Sequence, residues 1–277
     1  LPTFTRNSVA YLSDGTQVVA NQPRFEQGKF GKAVMVEEGT TNLVLNPSFE
    51  NDLTNWGGWG SPPTRDVVTT QKLYGSKALR LITNGNNQGV RQSFTISLGV
   101  PYTLSVWVKV ITGRPVIMAH CDGRYLTVEA PAKWAGDEQW HRLTHTFTAS
   151  TTTNIHIYLG KSAGGAVGEY YFDGVQLEAK PYLTSFTDGT RAAERLTTTL
   201  HDKIDVTDQW TIECRLKPNL FQFALTGTGS RAAAWQLGKY YQANKTNVIL
   251  WKNNNPPAYN IELAVMNNHK RRDCRGL

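Results

Sequence analysis

The stretch of sequence that decides the fold reads Tyr102-Thr103-Leu104-Ser105-Val106-Trp107-Val108-Lys109. Apolar residues occupy every second position from Tyr102 to Val108. Since successive side chains of a β-strand point to opposite faces, these apolar residues are predicted to share the face that enters a core. Trp107 is then predicted to lie on the opposite face, with Ser105 and Lys109.

Further runs of this kind recur at intervals that are typical of a β-sandwich. They are Ala78 to Thr83, Gly89 to Ile96, Val116 to Cys121, Tyr125 to Glu129, His141 to Thr148, Asn154 to Leu159 and Glu169 to Glu178. Only 18% of the 277 residues are charged, which disfavours long amphipathic helices. We therefore predict an all-β protein with a central sandwich.

Four segments are predicted along the chain. Residues 1–41 form an extended leader that acts as a clasp on a neighbouring module, and residues 42–180 form the sandwich. Residues 181–200 are expected to be an exposed linker, because the alternation lapses in a run of Thr, Gly, Arg and Ala. Residues 201–277 form a smaller β segment with a basic tail. Its strands are predicted at Trp210 to Pro218, Trp235 to Lys239 and Val248 to Trp251.

The charge pattern bears on possible partners. The formal net charge is +7, but residues 42–190 are nearly balanced, and the excess of bases lies in residues 191–277. No stripe of alternating bases and aromatic residues accompanies it, so no nucleic-acid partner is expected. No apolar run is long enough for membrane insertion. Neither zinc nor a disulfide framework is expected from the widely spaced Cys121, Cys214 and Cys274.

Five motifs in order identify the central segment by resemblance. They are Asn42-Leu43-Val44-Leu45-Asn46-Pro47-Ser48-Phe49-Glu50 with Trp56; Tyr74-Gly75-Ser76-Lys77-Ala78-Leu79; Tyr102 to Lys109; Trp140 to Phe147; and Tyr171-Phe172-Asp173-Gly174-Val175-Gln176-Leu177. With these motifs, residues 42–178 resemble the carbohydrate-binding modules of families 4, 9, 16 and 22. The resemblance implies a jelly-roll β-sandwich that binds sugar and does not catalyse a reaction.

The two flanking segments resemble other proteins. The leader is similar to phage tail and tail-fibre proteins in its motifs Arg6-Asn7-Ser8 with Ala10, Asp14-Gly15, Asn21-Gln22-Pro23-Arg24-Phe25 and Glu37-Glu38-Gly39-Thr40-Thr41-Asn42-Leu43. The stretch from Trp210 resembles the first strands of a laminin-G or concanavalin-like sandwich. It departs from that pattern because it ends in a basic, strand-poor tail, so only a partial module is expected.

A calcium site is implied by the family resemblance. Modules of this kind commonly hold a structural Ca²⁺ at the sandwich edge, where the resemblance places Glu50 and Asp173 together. Calcium prefers six to eight oxygen ligands, which carbonyl groups around Asn46, Ser76 and Lys77 would complete. The alternative is that Glu50 caps a turn and that Asp173 belongs to the turn at Asp173-Gly174.

Aromatic residues suggest a sugar platform, because the apolar C–H face of a pyranose stacks on an aromatic ring. Polar neighbours would bind the hydroxyl groups. The alternative is that the rings fill the core. The preferred carbohydrate-binding candidates are Trp59, Trp107, Tyr125 and Trp134, with Arg91 and Asn87 as hydrogen-bonding residues.

No catalytic constellation is expected. Asp137 and Glu138 are adjacent, so on an extended chain their side chains diverge and cannot flank a glycosidic bond. The sequence has no GxSxG, HExxH or phosphate-cradling GxxxxGK motif.

Three functions remain open. The first is a non-catalytic carbohydrate-binding or adhesion protein of a phage virion, a homo-oligomer that contacts other virion proteins and binds polysaccharide or cell-surface glycan. The second is an ancillary module of a secreted glycoside hydrolase. The third is a purely structural virion protein without glycan affinity. The phage-like leader favours the first and the third, and hence a virion location.

Overall fold

The computed structural model divides the chain into two compact units, Leu1–Ile212 and Glu213–Leu277. The residues that the structure describes are 3–28, 31–62, 64–161, 167–197, 231–237, 247–253, 261–267 and 270–274. Within them the only helical element is a short 3₁₀ turn, Ala132–Trp134. No helix in these ranges is long and apolar enough to span a membrane.

The leader contributes six short strands. They are β1 (Thr3–Thr5), β2 (Ala10–Tyr11), β3 (Gln17–Val18), β4 (Arg24–Gly28), β5 (Gly31–Met35) and β6 (Thr40–Thr41). Two pairs of them, β2 with β3 and β4 with β5, form antiparallel hairpins.

Ten strands build the central sandwich. They are β7 (Gly57–Trp59), β8 (Thr64–Val68), β9 (Ala78–Thr83), β10 (Gln88–Thr95), β11 (Pro101–Thr112), β12 (Val116–Cys121), β13 (Arg124–Glu129), β14 (Trp140–Thr148), β15 (Asn154–Lys161) and β16 (Gly168–Glu178). Sheet A has the order β13-β12-β15-β10-β7, and sheet B has the order β14-β11-β16-β9-β8. All pairings in both sheets are antiparallel. The predicted jelly-roll β-sandwich is confirmed.

The core lies between the two sheets. On β11, the central strand that pairs with both β14 and β16, the alternating residues from Tyr102 to Val108 are at most 5% exposed. Leu79 and Leu81 of sheet B and Ile157 and Leu159 of sheet A join them in one buried cluster. The face predicted to enter the core is therefore confirmed.

The strand predictions for the sandwich agree with the structure to within three residues at each end. Strands β7 and β8 were not predicted. The first, Gly57-Gly58-Trp59, is too short and too rich in glycine to show a pattern. The second has two charged residues, Arg65 and Asp66, in five. Edge strands pack on fewer neighbours, which leaves a weaker signal in the sequence.

The outer face of sheet B is covered, although its sequence is polar. Ser105, Gln176 and Glu178 point outward from β11 and β16, and all three are fully buried. Thr40 of the leader donates a hydrogen bond to the Glu178 carboxylate (2.8 Å), as does the Thr184 hydroxyl (2.8 Å). The leader and the segment that follows β16 therefore cover this face.

The exposed linker predicted at residues 181–200 is wrong for its described part, residues 181–197, which we call the exit segment. Tyr182, Phe186, Thr187 and Arg191 are at most 6% exposed. The segment contains β17 (Thr190–Arg191), which pairs with β6, and β18 (Arg195–Thr197), which pairs with β1. Thr184 bonds to Glu178 and Arg191 pairs with Glu37, so the polarity of the segment does not imply exposure.

A buried cluster of charges joins the leader to the exit segment. The carboxylate of Glu194 accepts hydrogen bonds from Arg6 Nη1 (2.8 Å) and from Arg24 Nε and Nη2 (both 2.7 Å). Glu37 forms ion pairs with Arg24 (2.7 Å) and Arg191 (3.2 Å). All three arginine side chains are fully buried. The hydrogen bonds replace the hydration of Arg6 and Arg24, whereas the guanidinium nitrogens of Arg191 have no hydrogen-bond partner among the described residues and are offset by ion pairing alone.

The second unit contains a four-stranded antiparallel sheet in the order β19-β20-β21-β22. Its strands are β19 (Arg231–Leu237), β20 (Asn247–Asn253), β21 (Ile261–Asn267) and β22 (Lys270–Cys274). The strands predicted near Trp235 and Val248 correspond to β19 and β20, whereas Trp210 to Pro218 lies outside the described residues. The expectation of a strand-poor tail is wrong, because the basic tract forms β22 and pairs with β21.

Candidate functional site

Alternation along three strands of sheet A directs a second set of side chains away from the core. On β10, Val90 is buried in the core and Arg91 is exposed. Arg91 pairs with Tyr158 of β15, and Met118 of β12 also pairs with Tyr158. Because paired residues in a sheet point to the same side, the three side chains share the outer face.

Aromatic rings form a continuous row across this outer face. The ring centroids of Trp59 and Tyr158 are 5.0 Å apart in an edge-on arrangement, and those of Tyr125 and Tyr158 are 6.1 Å apart. The ring of His120 stacks on that of Tyr125 with 4.3 Å between centroids, and its centroid lies 6.2 Å from that of His156. We call these five rings together with Arg91 the aromatic face.

The aromatic face combines a buried, tightly packed ring with accessible rings. Tyr158 is only 5% exposed and packs with Val116 and Met118 in a small cluster that Trp59 joins. Tyr125, in contrast, is 61% exposed. A sugar ring that stacks on this row would meet rings held by packing from below, which reduces the entropy lost on binding.

Polar groups surround the rings. Ser93 Oγ and His156 Nδ1 are 2.7 Å apart. Burial lowers the pKa of His156, and the nearby charges of Arg91 and His120 lower it further. The imidazole of His156 is therefore neutral at pH 7 and can both donate and accept hydrogen bonds.

The structure brings together three of the predicted carbohydrate-binding residues, Trp59, Arg91 and Tyr125. Asn87 lies beside them in the exposed turn before β10, and its backbone oxygen lies close to Gly60, the residue after Trp59. The sequence prediction omitted Tyr158, His120 and His156. The alternation in Asn154-Ile155-His156-Ile157-Tyr158 was a usable signal, since it places His156 and Tyr158 on one side of a strand.

The other two predicted aromatic candidates lie elsewhere. Trp107 is on the outer face of sheet B, where it packs on Tyr74 (6.4 Å between centroids) and beneath the guanidinium of Arg142 (5.9 Å). Trp134 is in the 3₁₀ turn and stacks on His141 at 4.3 Å, with the rings 5° from parallel. Neither side chain belongs to the aromatic face.

The predicted calcium ligands are close in space but already have hydrogen-bond partners. Asp173 Oδ2 accepts the N–H groups of Leu73 and Tyr74, both at 2.7 Å, and Oδ1 accepts that of Gly174 at 2.6 Å. Burial raises the pKa of Asp173 to about 7, although these three donors lower it. The carboxylate thus fixes the loop that precedes β9.

Glu50 accepts hydrogen bonds from the same loop. Its Oε1 accepts the N–H groups of Ser76 (2.7 Å) and Lys77 (2.9 Å), and Oε2 accepts the Ser76 hydroxyl (2.6 Å). Asn46 turns its side chain to the carbonyls of Asp52 and Thr54 and its own carbonyl to the Trp56 indole. Its Oδ1 accepts the N–H group of Asn51 (3.1 Å), so both oxygens of Asn46 are engaged within their own turn.

The fit of this site to calcium is partial. Glu50 Oε2 and Asp173 Oδ1 each accept a single hydrogen bond, which leaves each oxygen with a free lone pair. Burial raises the pKa of Asp188, and the charge of Glu50 raises it further, so a third carboxyl group is near. Among the described residues, however, no three His, Cys, Asp or Glu side chains form a metal-binding group. Carbonyl groups would have to supply most of the ligands.

A family model described as a carbohydrate binding domain matches residues 41–163. The match spans strands β7 to β15, and with them every member of the aromatic face. It supports a carbohydrate-binding module in the sandwich. A search of curated proteins found no match to the chain.

Three solved structures are similar to parts of the chain. The CBM22-1 xylan-binding domain of Xyn10C from Paenibacillus barcinonensis is 18% identical, with 53% of this chain and 97% of that domain covered and a TM-score of 0.40. TmCBM61, solved in complex with beta-1,4-galactotriose, is 19% identical, with 49% and 97% covered and a TM-score of 0.41. The enzymatically active domain of tailspike protein 4 of bacteriophage CBA120 is 16% identical, with 50% and 21% covered and a TM-score of 0.40.

Proposed function

We propose that this chain is a non-catalytic carbohydrate-binding protein that holds glycans on the aromatic face. The observation that carries the proposal is the continuous row of rings from Trp59 through Tyr158 to Tyr125. The row crosses all five strands of sheet A, from β7 to β13. A surface of this length accommodates several sugar units of a chain, each stacking its C–H face on a ring.

The test is glycan binding by variants of the two accessible rings. We expect Trp59→Ala and Tyr125→Ala each to weaken the affinity for a bound polysaccharide by at least about tenfold, because central aromatic contacts dominate binding energy. The measurement is isothermal titration calorimetry of the purified chain, after affinity electrophoresis through gels that contain soluble polysaccharides has identified a ligand.

The matched control is Phe25→Ala. Phe25 is a large exposed aromatic residue, 47% accessible, on leader strand β4. The Phe25→Ala variant should bind the polysaccharide with unchanged affinity. The Trp107→Ala variant should do the same, provided that it remains folded. Equal losses in all four variants, or no binding to any polysaccharide by the unaltered protein, would contradict the proposal.

The setting that we propose is a phage virion, in which the chain acts as an adhesion component of the tail or capsid surface and therefore works outside the cell. The leader motifs support this assignment, since they resemble phage tail proteins. Many copies on one particle would turn weak single-site binding into strong attachment. This predicts a homo-oligomer, measurable by light scattering, and peptides of the chain in purified particles from the source strain. A monomer absent from particles would favour the ancillary module of a secreted hydrolase.

We also propose that Glu50 and Asp173 bind a structural calcium ion together with carbonyl groups of the loop near Ser76 and Lys77. The support is the free lone pair on each carboxylate and the proximity of Asp188. Calcium should raise the thermal midpoint by several degrees over the value in chelator, and Glu50→Gln should abolish that difference. An identical midpoint with calcium and with chelator would exclude the site.

A further inference from the structure

Arg91 is the charged residue at the centre of the aromatic face. It extends from β10, which is hydrogen-bonded to β7 on one side and to β15 on the other. Its pairing partners are Gly57 and Tyr158. The backbone of Arg91 is therefore held on both sides by paired strands, of which one carries Trp59 and the other carries Tyr158.

The position opposite Arg91 lacks a side chain, and this decides where the arginine lies. A Cβ atom at Gly57 would lie 3.8 Å from Cγ and 4.0 Å from Nε of Arg91. The arginine stem thus lies over the backbone of β7, on the strand that carries Trp59. The guanidinium is presented beside a stacking ring, where a bound sugar would place its substituents.

The charges around the face leave Arg91 without a counter-ion. Glu129 is the only acidic residue among the outward-facing positions of the five described strands of sheet A. It is already bonded to Lys161 Nζ (3.0 Å) and Arg114 Nη2 (2.9 Å). No ion pair joins Arg91 to a carboxylate within the described part of the chain, so the face carries an uncompensated positive charge.

We propose that the aromatic face selects glycans whose sugars carry a carboxylate, with Arg91 as the residue that recognises it. The guanidinium offers parallel N–H donors that match a carboxylate bidentately. The sugar ring stacks on Trp59 while its carboxylate pairs with Arg91. The inference rests on the proposed function and adds to it a class of ligand.

The experiment compares each acidic glycan with its neutral counterpart on the full chain. The probes are short oligosaccharides of galacturonate, glucuronate and mannuronate and a sialylated lactose, each paired with its carboxyl-reduced form. At low salt, at least one acidic probe should bind at least about tenfold more tightly than its reduced form. The difference between the two groups of probes distinguishes hexuronates from sialic acids.

Variants at Arg91 separate charge recognition from stacking. Arg91→Gln should remove the preference, so that the acidic probe and its reduced form bind with equal affinity, and Arg91→Lys should retain part of the preference. The preference should also shrink as salt is raised. The charge proposal is overturned, with the proposed function intact, if neutral glycans bind in a Trp59-dependent manner and no acidic probe is preferred. Binding of no glycan overturns both.

Discussion

Replacing Glu194 with alanine is expected to lower the free energy of unfolding of the first unit by about 3–5 kcal/mol. Glu194 accepts hydrogen bonds from Arg6 and Arg24 and from the backbone N–H of Glu37 (2.9 Å), and its side chain is fully buried. Without it, two buried guanidinium groups lose a carboxylate, and Glu37 remains to offset three arginines. Burial lowers the pKa of Arg191, which shows that its charged form is already poorly solvated.

The matched control is Glu38→Ala. Glu38 lies one residue from Glu37 and pairs with Lys180 at 3.0 Å, but its side chain is 42% exposed. The same change of residue type there should cost less than about 1 kcal/mol, because exposed ion pairs are screened by water. Calorimetric unfolding of both variants measures the difference. Losses of similar size would mean that the leader and the exit segment do not depend on the buried cluster.

Asp173→Ala is the second large expected effect, a loss of about 2–4 kcal/mol in the free energy of unfolding. Its carboxylate satisfies the N–H groups of Leu73, Tyr74 and Gly174. Alanine leaves these donors unpaired, and the removal of a poorly solvated carboxyl group offsets only part of the cost. Denaturant unfolding in chelator measures the effect without a contribution from calcium.

The consequence of Asp173→Ala should extend to the leader. Tyr74 packs on Phe186 of the exit segment (4.1 Å between centroids) and on Tyr11 of the leader (5.5 Å). Loosening the loop that carries Tyr74 should therefore increase proteolysis of the leader at temperatures where the sandwich stays folded. Asp66→Ala, which removes an exposed carboxylate from neighbouring strand β8, is the control and should leave both readouts unchanged. Unchanged proteolysis in Asp173→Ala would show that the loop does not hold the leader in place.

The sequence was sufficient for the sandwich because its strands alternate. In β11 the period of two separates core from outer positions residue by residue, and each buried position lies on a strand flanked by two others. Residue type selected half of the aromatic face: Arg91 as a hydrogen-bonding residue, and Trp59 and Tyr125 as aromatic residues. The strand that carries Trp59, β7, was not predicted.

The site as a whole could not be predicted, because its members come from strands that are distant in sequence. Trp59 and Tyr158 are almost a hundred residues apart and meet only because β10 pairs with both β7 and β15. The alternation also gave no reason to separate Trp107 from Trp59. Both were carbohydrate-binding candidates, and only the order of the strands assigns them to different sheets.

The sequence by itself determined the eight alternating strands of the sandwich and which of their side chains face the core, since both depend on a local period and on the hydrophobic effect. Only the tertiary structure decided what covers the outer faces. Sheet B is closed by the leader and the exit segment, whose buried arginines and threonines look like surface residues in the sequence. Sheet A keeps its aromatic face open. That difference is set by contacts between segments distant in sequence, and the alternation within a strand carries no information about such contacts.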